Sequence, residues 1–379
     1  MSAKRTTTLP VALFMGLGLL VSMGGVVRGG ADQTPAPLAP LPGLSSRPDP
    51  GQVALGKLLF FDVRVSGDGS TSCSSCHQPD KGWSDGLPMS IGYPGSLYFR
   101  NTPTVINAVH GRYMFWDGRL PASDLPTLVR DHISEAHFMQ ADGRLIIERA
   151  RQIPVYEEGF KKVFGGEPTY GRILNAITAY LRTLRSRNAP IDRYLRGDTS
   201  ALSPAAKRGL DLFRGKAGCI QCHDGAMFSD GDFHATGAPT NPDIFATPER
   251  HISFRRFFKM LGVSEYVALR EDVGLYAVTK QSSDRGKFRT PTLREVSRTA
   301  PYMHDGSFAT LEGVVDFYDA GGGEAASPPN KDLLLRPLGL DDQEKKDLVE
   351  FLKSLSGAPI QAGEVELPPY ELRKVGENR

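Results

Sequence analysis

Two copies of the pentapeptide Cys-x-x-Cys-His constrain this chain more than any other feature, and together they hold all four of its cysteines. The residues are Cys73, Cys76 and His77 in the first copy and Cys219, Cys222 and His223 in the second. Attachment of a c-type haem uses every residue of this motif, because two thiols bond to the porphyrin and the histidine reaches the iron. A zinc site built from four cysteines, or a redox disulfide pair, leaves the histidines without a role. The motifs therefore favour two covalently bound haem c groups.

The amino-terminal segment predicts export. Residues 1–31 place Lys4 and Arg5 before an apolar run over 9–27, and residues 32–48 read as a Pro-rich linker. This order is typical of a signal peptide and indicates a periplasmic protein, with an uncleaved amino-terminal anchor as the alternative because the apolar run is long. No later segment predicts a membrane span after removal of the signal. The formal net charge of +2 gives no reason to expect nucleic acid as a partner.

The chain also looks duplicated. The two motifs begin about 150 residues apart, which is the size of one domain. A helix-like segment precedes each motif, GQVALGKLLFF in one copy and SPAAKRGLDLFRGK in the other, and Ser-Asp-Gly follows each. We therefore expect a mainly α fold of two cytochrome c-like domains, residues 49–196 and 197–379, each wrapping one haem c with long irregular loops.

Several separate stretches carry a resemblance to a known superfamily. They are both haem motifs, RNTPTVIN, FWDGR, IDRYLRGD, FRTPTLR and TAPYMHDG. In these, the chain resembles the bacterial di-haem cytochrome c peroxidase and MauG superfamily over most of residues 49–357. The resemblance implies a peroxide-reactive haem in the first domain and an electron-transfer haem in the second. It also implies hydrogen peroxide and a periplasmic protein substrate or electron donor as partners.

The second axial ligand of the second haem separates the branches of that superfamily. Its peroxidases place a Met on the helix after the PYxHDG stretch, whereas MauG-like members place a Tyr there. The matching residue here is Tyr318, and no Met follows Met303. Tyr318 is expected to bind the iron, with a role as an ordinary core aromatic as the alternative. A phenolate stabilises ferric iron and lowers its potential, which favours storage of an oxidising equivalent.

The loop before the FWDGR stretch bears on the first haem. Superfamily peroxidases that rest inactive carry a loop His there, which blocks the iron until reduction. The corresponding segment, LPMSIGYPGSLYFRNTPT, has none, and Tyr93 and Met89 are the nearby substitutes. We therefore expect an open iron at the first haem. Ligation by Met89 would instead make an electron carrier.

The distal pocket departs from the family pattern. The family's acid–base residues are usually Gln and Glu flanking a Pro, and the matching positions here hold Leu128, Phe138 and His132. Helical spacing through LPTLVRDHISEAHFM would put His132 and Glu135 on one face. We expect these two residues to be catalytic, His132 as the base that transfers the peroxide proton. His132 could equally bind the iron or be a surface or capping residue.

The resemblance also implies a relay and a calcium ion. The family keeps a Trp between its haems, which corresponds to Trp116, a residue type that is otherwise common as core filler. The family binds one Ca²⁺ through an Asn side chain and two backbone carbonyls, which match Asn101, Thr299 and Pro301. Oxygen donors suit this ion, although Asn101 before Thr-Pro could be simple turn chemistry.

Three functions follow as hypotheses. The first is a MauG-like oxidase, in which peroxide generates a high-valent di-haem state that oxidises a partner protein. The second is a cytochrome c peroxidase that takes electrons from a small cytochrome c or cupredoxin. The third is an electron carrier with both irons capped. The missing loop His, Tyr318 and the altered pocket favour the first.

Overall fold

The computed structural model describes residues 34–94, 96–323 and 330–369, and its regular structure is mostly helical. The α-helices are α1 (Pro50–Phe61), α2 (Cys73–Cys76), α3 (Leu125–Ser134), α4 (Gly143–Arg151), α5 (Pro154–Phe164), α6 (Tyr170–Leu181), α7 (Pro190–Leu195), α8 (Pro204–Arg214), α9 (Asp243–Ala246), α10 (Pro248–Met260), α11 (Tyr276–Thr279), α12 (Leu311–Asp319) and α13 (Asp342–Lys353). Short 3-10 helices lie at Val63–Val65, Pro79–Lys81, Ala108–His110, Cys219–Gln221, Ser282–Asp284 and Val296–Arg298. Two antiparallel pairs of short strands complete the regular structure: β1 (Tyr113–Met114) with β2 (Leu120–Pro121), and β3 (Phe233–His234) with β4 (Phe288–Arg289).

The helices that precede the two motifs, α1 and α8, are built alike. Each begins with a Pro whose missing N–H costs nothing in the first turn, and each is capped by the residue before it. The side chain of Asp49 accepts from the Gln52 N–H at 2.9 Å, and that of Ser203 accepts from the Ala206 N–H at 3.1 Å. These shared features support the duplication that the sequence predicted.

Each of these helices crosses a later helix of its own half at close range, α1 against α6 and α8 against α13. A glycine makes each crossing possible. A Cβ at Gly56 would lie 1.8 Å from the Ala176 carbonyl oxygen, and one at Gly209 would lie 2.0 Å from that of Asp347. Any larger residue at either position would force the helices apart. The two halves therefore pack these helices in the same way, with a glycine at the crossing.

The two largest clusters of buried side chains follow the predicted halves. One runs from Leu55 to Leu184, and the other from Ala189 to Leu355. The second cluster begins a few residues before the predicted boundary at 196, and the division there remains a proposal. A third, aromatic cluster combines residues of the segment 89–99 with α9, α10 and the residues that follow them.

Each half also receives a terminal segment of the chain. At the start, the predicted linker docks on the second half, where the Ala36 N–H donates to Asp224 at 2.7 Å and the Leu41 N–H to Asp192 at 3.1 Å. At the end, the chain returns to the first half, where the Trp83 indole donates to the Ile360 carbonyl at 2.9 Å. The predicted signal peptide, residues 1–31, lies outside the described residues. Within them, every helix is too short or too polar to cross a bilayer.

Candidate active site

Each Cys-x-x-Cys-His motif lies on the wall of its own cavity. The first cavity has a volume of about 240 Å³ and the second about 260 Å³. The motif residues on these walls are Cys73, Cys76 and His77 in the first cavity and Cys219, Cys222 and His223 in the second. The thiols and the histidine of one motif therefore face one shared space, as attachment of a haem c requires.

The two motif histidines are oriented in the same way. The Nδ1–H of His77 donates to the Trp83 carbonyl at 3.0 Å, and the Nδ1–H of His223 donates to the Phe228 carbonyl at 3.0 Å. The proton on Nδ1 leaves Nε2 with the lone pair that a metal needs. Burial lowers the pKa of both rings, which keeps them neutral. Both sites therefore fit a haem iron bound through Nε2.

A single wall separates the two cavities. The residues that border both are Asn101, Thr102, Pro103, Thr104, Trp116, Arg289 and Thr292. Trp116 is the aromatic residue among them, and its indole N–H donates to the Asn101 carbonyl at 2.9 Å. The structure thus places the predicted relay residue between the cavities.

Arg289 fixes the Trp116 segment from the second half of the chain. Its backbone N–H donates to the Trp116 carbonyl at 3.0 Å, and its Nε donates to the Phe115 carbonyl at 3.2 Å. Burial lowers the pKa of Arg289 to about 10. Sequence reasoning missed this residue, although it lies in the FRTPTLR stretch.

Tyr318 borders the second cavity from α12, on the same space as His223. Burial raises the pKa of its hydroxyl most, and the nearby Cys222 and Cys219 thiols raise it further. The phenolate that ligation requires therefore forms only if a bound cation stabilises it. Met303 also borders this cavity, so the structure adds a thioether candidate that the sequence analysis did not consider.

Neither of the substitute ligands suggested for the loop before FWDGR reaches the first cavity. Met89 is buried in the aromatic cluster, and neither Met89 nor Tyr93 borders the cavity. The residues of the described part of this loop that border the cavity are Ser90, Tyr98, Arg100, Asn101, Thr102, Pro103 and Thr104. The two substitutes that the sequence suggested are therefore directed elsewhere.

His132 borders the first cavity from α3, and the centre of its ring lies 6.4 Å from that of His77. Its Nδ1–H donates to the Leu128 carbonyl at 2.9 Å. Burial lowers its pKa to about 4, so the ring is neutral at ordinary pH. His132 is thus a neutral imidazole that shares the first cavity with the motif histidine.

Glu135 lies apart from this pair. The helix expected to continue to Met139 ends at Ser134, and Glu135 is its extended C-cap. The Glu135 carboxylate faces Arg119 at 3.4 Å and does not border the cavity. The prediction that His132 and Glu135 act together in the pocket is wrong, because the Glu135 carboxylate lies against Arg119 and only His132 borders the cavity.

Comparisons with known proteins agree with this geometry. The family described as "Di-haem cytochrome c peroxidase" matches residues 50–200. The "Cytochrome-c peroxidase IdrP2" of Denitromonas iodatirespirans is 47% identical over 326 residues, which are 86% of this chain and 87% of that protein. The "Methylamine utilization protein MauG" of Methylorubrum extorquens is 34% identical over an alignment of 381 positions, which covers 95% of this chain and 99% of that protein. This chain belongs to the di-haem cytochrome c peroxidase family.

A solved structure supports the same assignment. The "MauG-like protein associated with microbial copper homeostasis" is 30% identical and superposes with a TM-score of 0.70, covering 87% of this chain and 96% of that one. The predicted fold class, a mainly helical pair of cytochrome c-like domains, is confirmed. Family membership makes the protein a haem-dependent oxidoreductase that acts on peroxide, and it implies two haem groups, which the two cavities fit.

The residues that the family resemblance assigned to calcium lie together on the second cavity, which Asn101, Thr299 and Pro301 all border. The Asn101 Nδ2 donates to the Leu87 carbonyl at 2.9 Å, which leaves Oδ1 as the amide atom for a cation. Nearby, the buried Asp305 has a carboxylate oxygen, Oδ1, without a hydrogen-bond partner. This donor set suits Ca²⁺.

A charged cluster beside the second cavity was also missed. His234 binds Asp230 through Nε2 at 2.9 Å and Asp332 through Nδ1 at 2.5 Å. Burial opposes its charge, but the two carboxylates raise its pKa to about 12. Cys222 lies close enough to complete a metal site with Asp230 and His234. Haem attachment would use the Cys222 thiol, so we interpret the cluster as a protonated imidazole held between two carboxylates beside the haem.

Proposed function

We propose that this protein reduces hydrogen peroxide at the first cavity, with electrons that a partner protein delivers at the second cavity. The observation that carries the proposal is the wall that the two cavities share, with Trp116 in it. The peroxidase name of the relative at 47% identity supports it. When bound, the two haem groups supply one iron that accepts peroxide and one that passes electrons.

The chain contributes anchoring, orientation and a path. The four cysteines fix both groups covalently, and the carbonyls of Trp83 and Phe228 hold the proximal rings of His77 and His223 in place. We assign Trp116 the relay role, since its ring is buried in the shared wall and its N–H is fixed to Asn101. Glu135 has no support as an acid–base residue, because its carboxylate does not border the cavity.

Tyr318 favours a second candidate, MauG-like oxidation of a residue on a partner protein through a high-valent di-haem state. Tyr318 shares the second cavity with His223. A phenolate there would lower the potential and make acceptance of electrons from a mild donor harder. The relative named MauG is more distant, at 34% identity. We therefore place this function second to reduction of peroxide with a protein electron donor.

The proposal includes a location and a second cofactor. Export to the periplasm follows from the amino-terminal pattern, and small cytochromes or cupredoxins are the partners expected there. We assign one Ca²⁺ to Asn101 Oδ1 and the carbonyls of Thr299 and Pro301. This ion would fix the segment between the haem groups, because Asn101 also accepts from the Trp116 indole through its backbone carbonyl.

The test is steady-state oxidation of a reduced small c-type cytochrome by hydrogen peroxide, catalysed by the holo-protein. Multiple turnovers are expected. Trp116→Phe should lower kcat and leave the haem content at two. Lys353→Ala, on the exposed face of α13, is the control and should match the wild type.

Each outcome selects one function. Sustained turnover with the reduced cytochrome supports the peroxidase. Reaction with peroxide, without turnover with this donor or a reduced cupredoxin, would favour oxidation of a partner protein. A protein inert to peroxide would be an electron carrier and would overturn the proposal.

A further inference from the structure

The spacing of two histidines across the first cavity defines what can lie between them. His77 and His132 both border this cavity, and their ring centres are 6.4 Å apart. In each ring a backbone carbonyl takes the Nδ1 proton, that of Trp83 for His77 and that of Leu128 for His132. Both rings therefore keep a lone pair on Nε2.

This spacing discriminates between the two roles open to His132. Two imidazoles that bind one metal ion from opposite sides through bonds of about 2.0–2.1 Å have ring centres about 6.3 Å apart, because each centre lies about 1.1 Å behind its nitrogen. A histidine that moves protons must leave room for a bound oxygen atom and a hydrogen bond of about 2.6–3.2 Å, so the centres lie about 8 Å apart or more. The observed 6.4 Å fits the first case.

The surroundings hold His132 in this position. Its ring lies nearly parallel to those of Phe138, with centres 4.6 Å apart, and Phe115, with centres 5.2 Å apart, and the two Phe ring centres are 6.3 Å from each other. The Arg119 guanidinium lies over the Phe115 ring, 3.4 Å from its centre. A ring packed against two aromatic side chains and hydrogen-bonded at Nδ1 has little freedom to turn.

We infer that His132 binds the iron of the first haem c as its second axial ligand, opposite His77. The resting first haem is then six-coordinate, in place of the open iron that the loop sequence predicted. The inference deepens the proposed function and, for its catalytic consequence, rests on it: peroxide would compete for the position on the iron that the His132 imidazole would hold.

The experiment is spectroscopy of the oxidised holo-protein by electron paramagnetic resonance and near-infrared magnetic circular dichroism. One of the two haem groups should show the low-spin signature of two imidazole ligands. His132→Gly should lose that signature and gain one high-spin haem per chain, and added imidazole should restore it. His110→Ala is the matched control, since His110 borders the same cavity but its Nε2 accepts from Arg185 at 3.1 Å.

A high-spin first haem in the wild type, or an unchanged spectrum in His132→Gly, would overturn the inference. If His132→Gly does not incorporate haem, His132→Met should change the two-imidazole signature to that of one imidazole and one thioether. Peroxide turnover by a wild type with a high-spin first haem would refute the ligation and leave the proposed function standing. A two-imidazole signature in a protein inert to peroxide would support the ligation and overturn the proposed function.

Discussion

A buried ion network beside the relay tryptophan gives a stability prediction of defined size. Arg100 donates through Nη1 to Asp117 at 2.6 Å, and through Nε and Nη2 to Asp272 at 2.6 and 2.9 Å. All three side chains are at most 1% exposed. Asp117 follows Trp116 directly, so the network ties the relay segment to the aromatic cluster that contains Asp272's neighbour Val273.

Asp272→Ala should destabilise the protein strongly. It removes the acceptor of two Arg100 donors and of the Gly274 N–H, and it leaves Arg100 and Arg119 to share Asp117. Loss of one partner from a buried ion pair costs about 3–5 kcal/mol. Asp272→Asn keeps an oxygen acceptor and removes the charge, so we expect about 1.5–3 kcal/mol, the range for hydrogen bonds to charged groups.

Guanidinium unfolding of the holo-protein measures both effects. Lys353→Ala, which breaks the exposed pair with Glu350 at 2.8 Å, is the control and should cost about 0.2–0.5 kcal/mol. Arg100→Met combined with Asp272→Ala should cost less than the sum of the two single changes, because no buried charge is then left unpaired. An Asp272→Ala variant within about 1 kcal/mol of the wild type, the range of exposed pairs, would refute this account.

Three further predictions concern the cofactors. Pyridine haemochrome assay should give two haem groups per chain, and Cys73→Ala or Cys219→Ala should each remove one doubly linked group; bound zinc would contradict this. Tyr318→Met should raise the potential of the second haem in a redox titration, because a neutral thioether replaces an anionic oxygen, and an unchanged potential would make Tyr318 a core residue. Removal of Ca²⁺ by a chelator should quench or shift Trp fluorescence and lower turnover, and Asn101→Ala should abolish the response; a chelator without effect would remove calcium from the site.

The sequence predicted those parts of the site whose residues lie within one short segment of the chain. The haem motifs are contiguous, and their attachment chemistry needs no knowledge of the fold. The family resemblance added Trp116 and Tyr318, and the structure brings both to the cavities as expected. Such residues could be predicted because each lies in or near a short stretch that carries the family resemblance.

Contacts between distant segments could not be predicted in this way. Asp272 lies 172 residues from Arg100, and Asp332 lies 98 residues from His234. The hydrophobic periodicity of one segment gives no information about an ion-pair partner so far along the chain. The end of α3 was missed for a related reason, since neither Gly nor Pro marks Ser134 as its last residue. Periodicity alone therefore carried the predicted helix too far.

The departures from the family's acid–base pattern at Leu128 and Phe138 have one explanation, which is their contact with His132. Where the family has Gln and Glu, Leu128 offers only its backbone carbonyl, which takes the Nδ1 proton of His132. Phe138 offers a ring that stacks on His132, and it can do so because the chain turns back after Glu135, whose carbonyl accepts from the Phe138 N–H at 3.0 Å. These two residues cannot exchange protons with peroxide, but they can fix the orientation of the His132 imidazole. A pocket with this composition suits ligation of iron better than proton transfer. The role of His132 was hard to assign from the sequence because it depends on these neighbours in the fold.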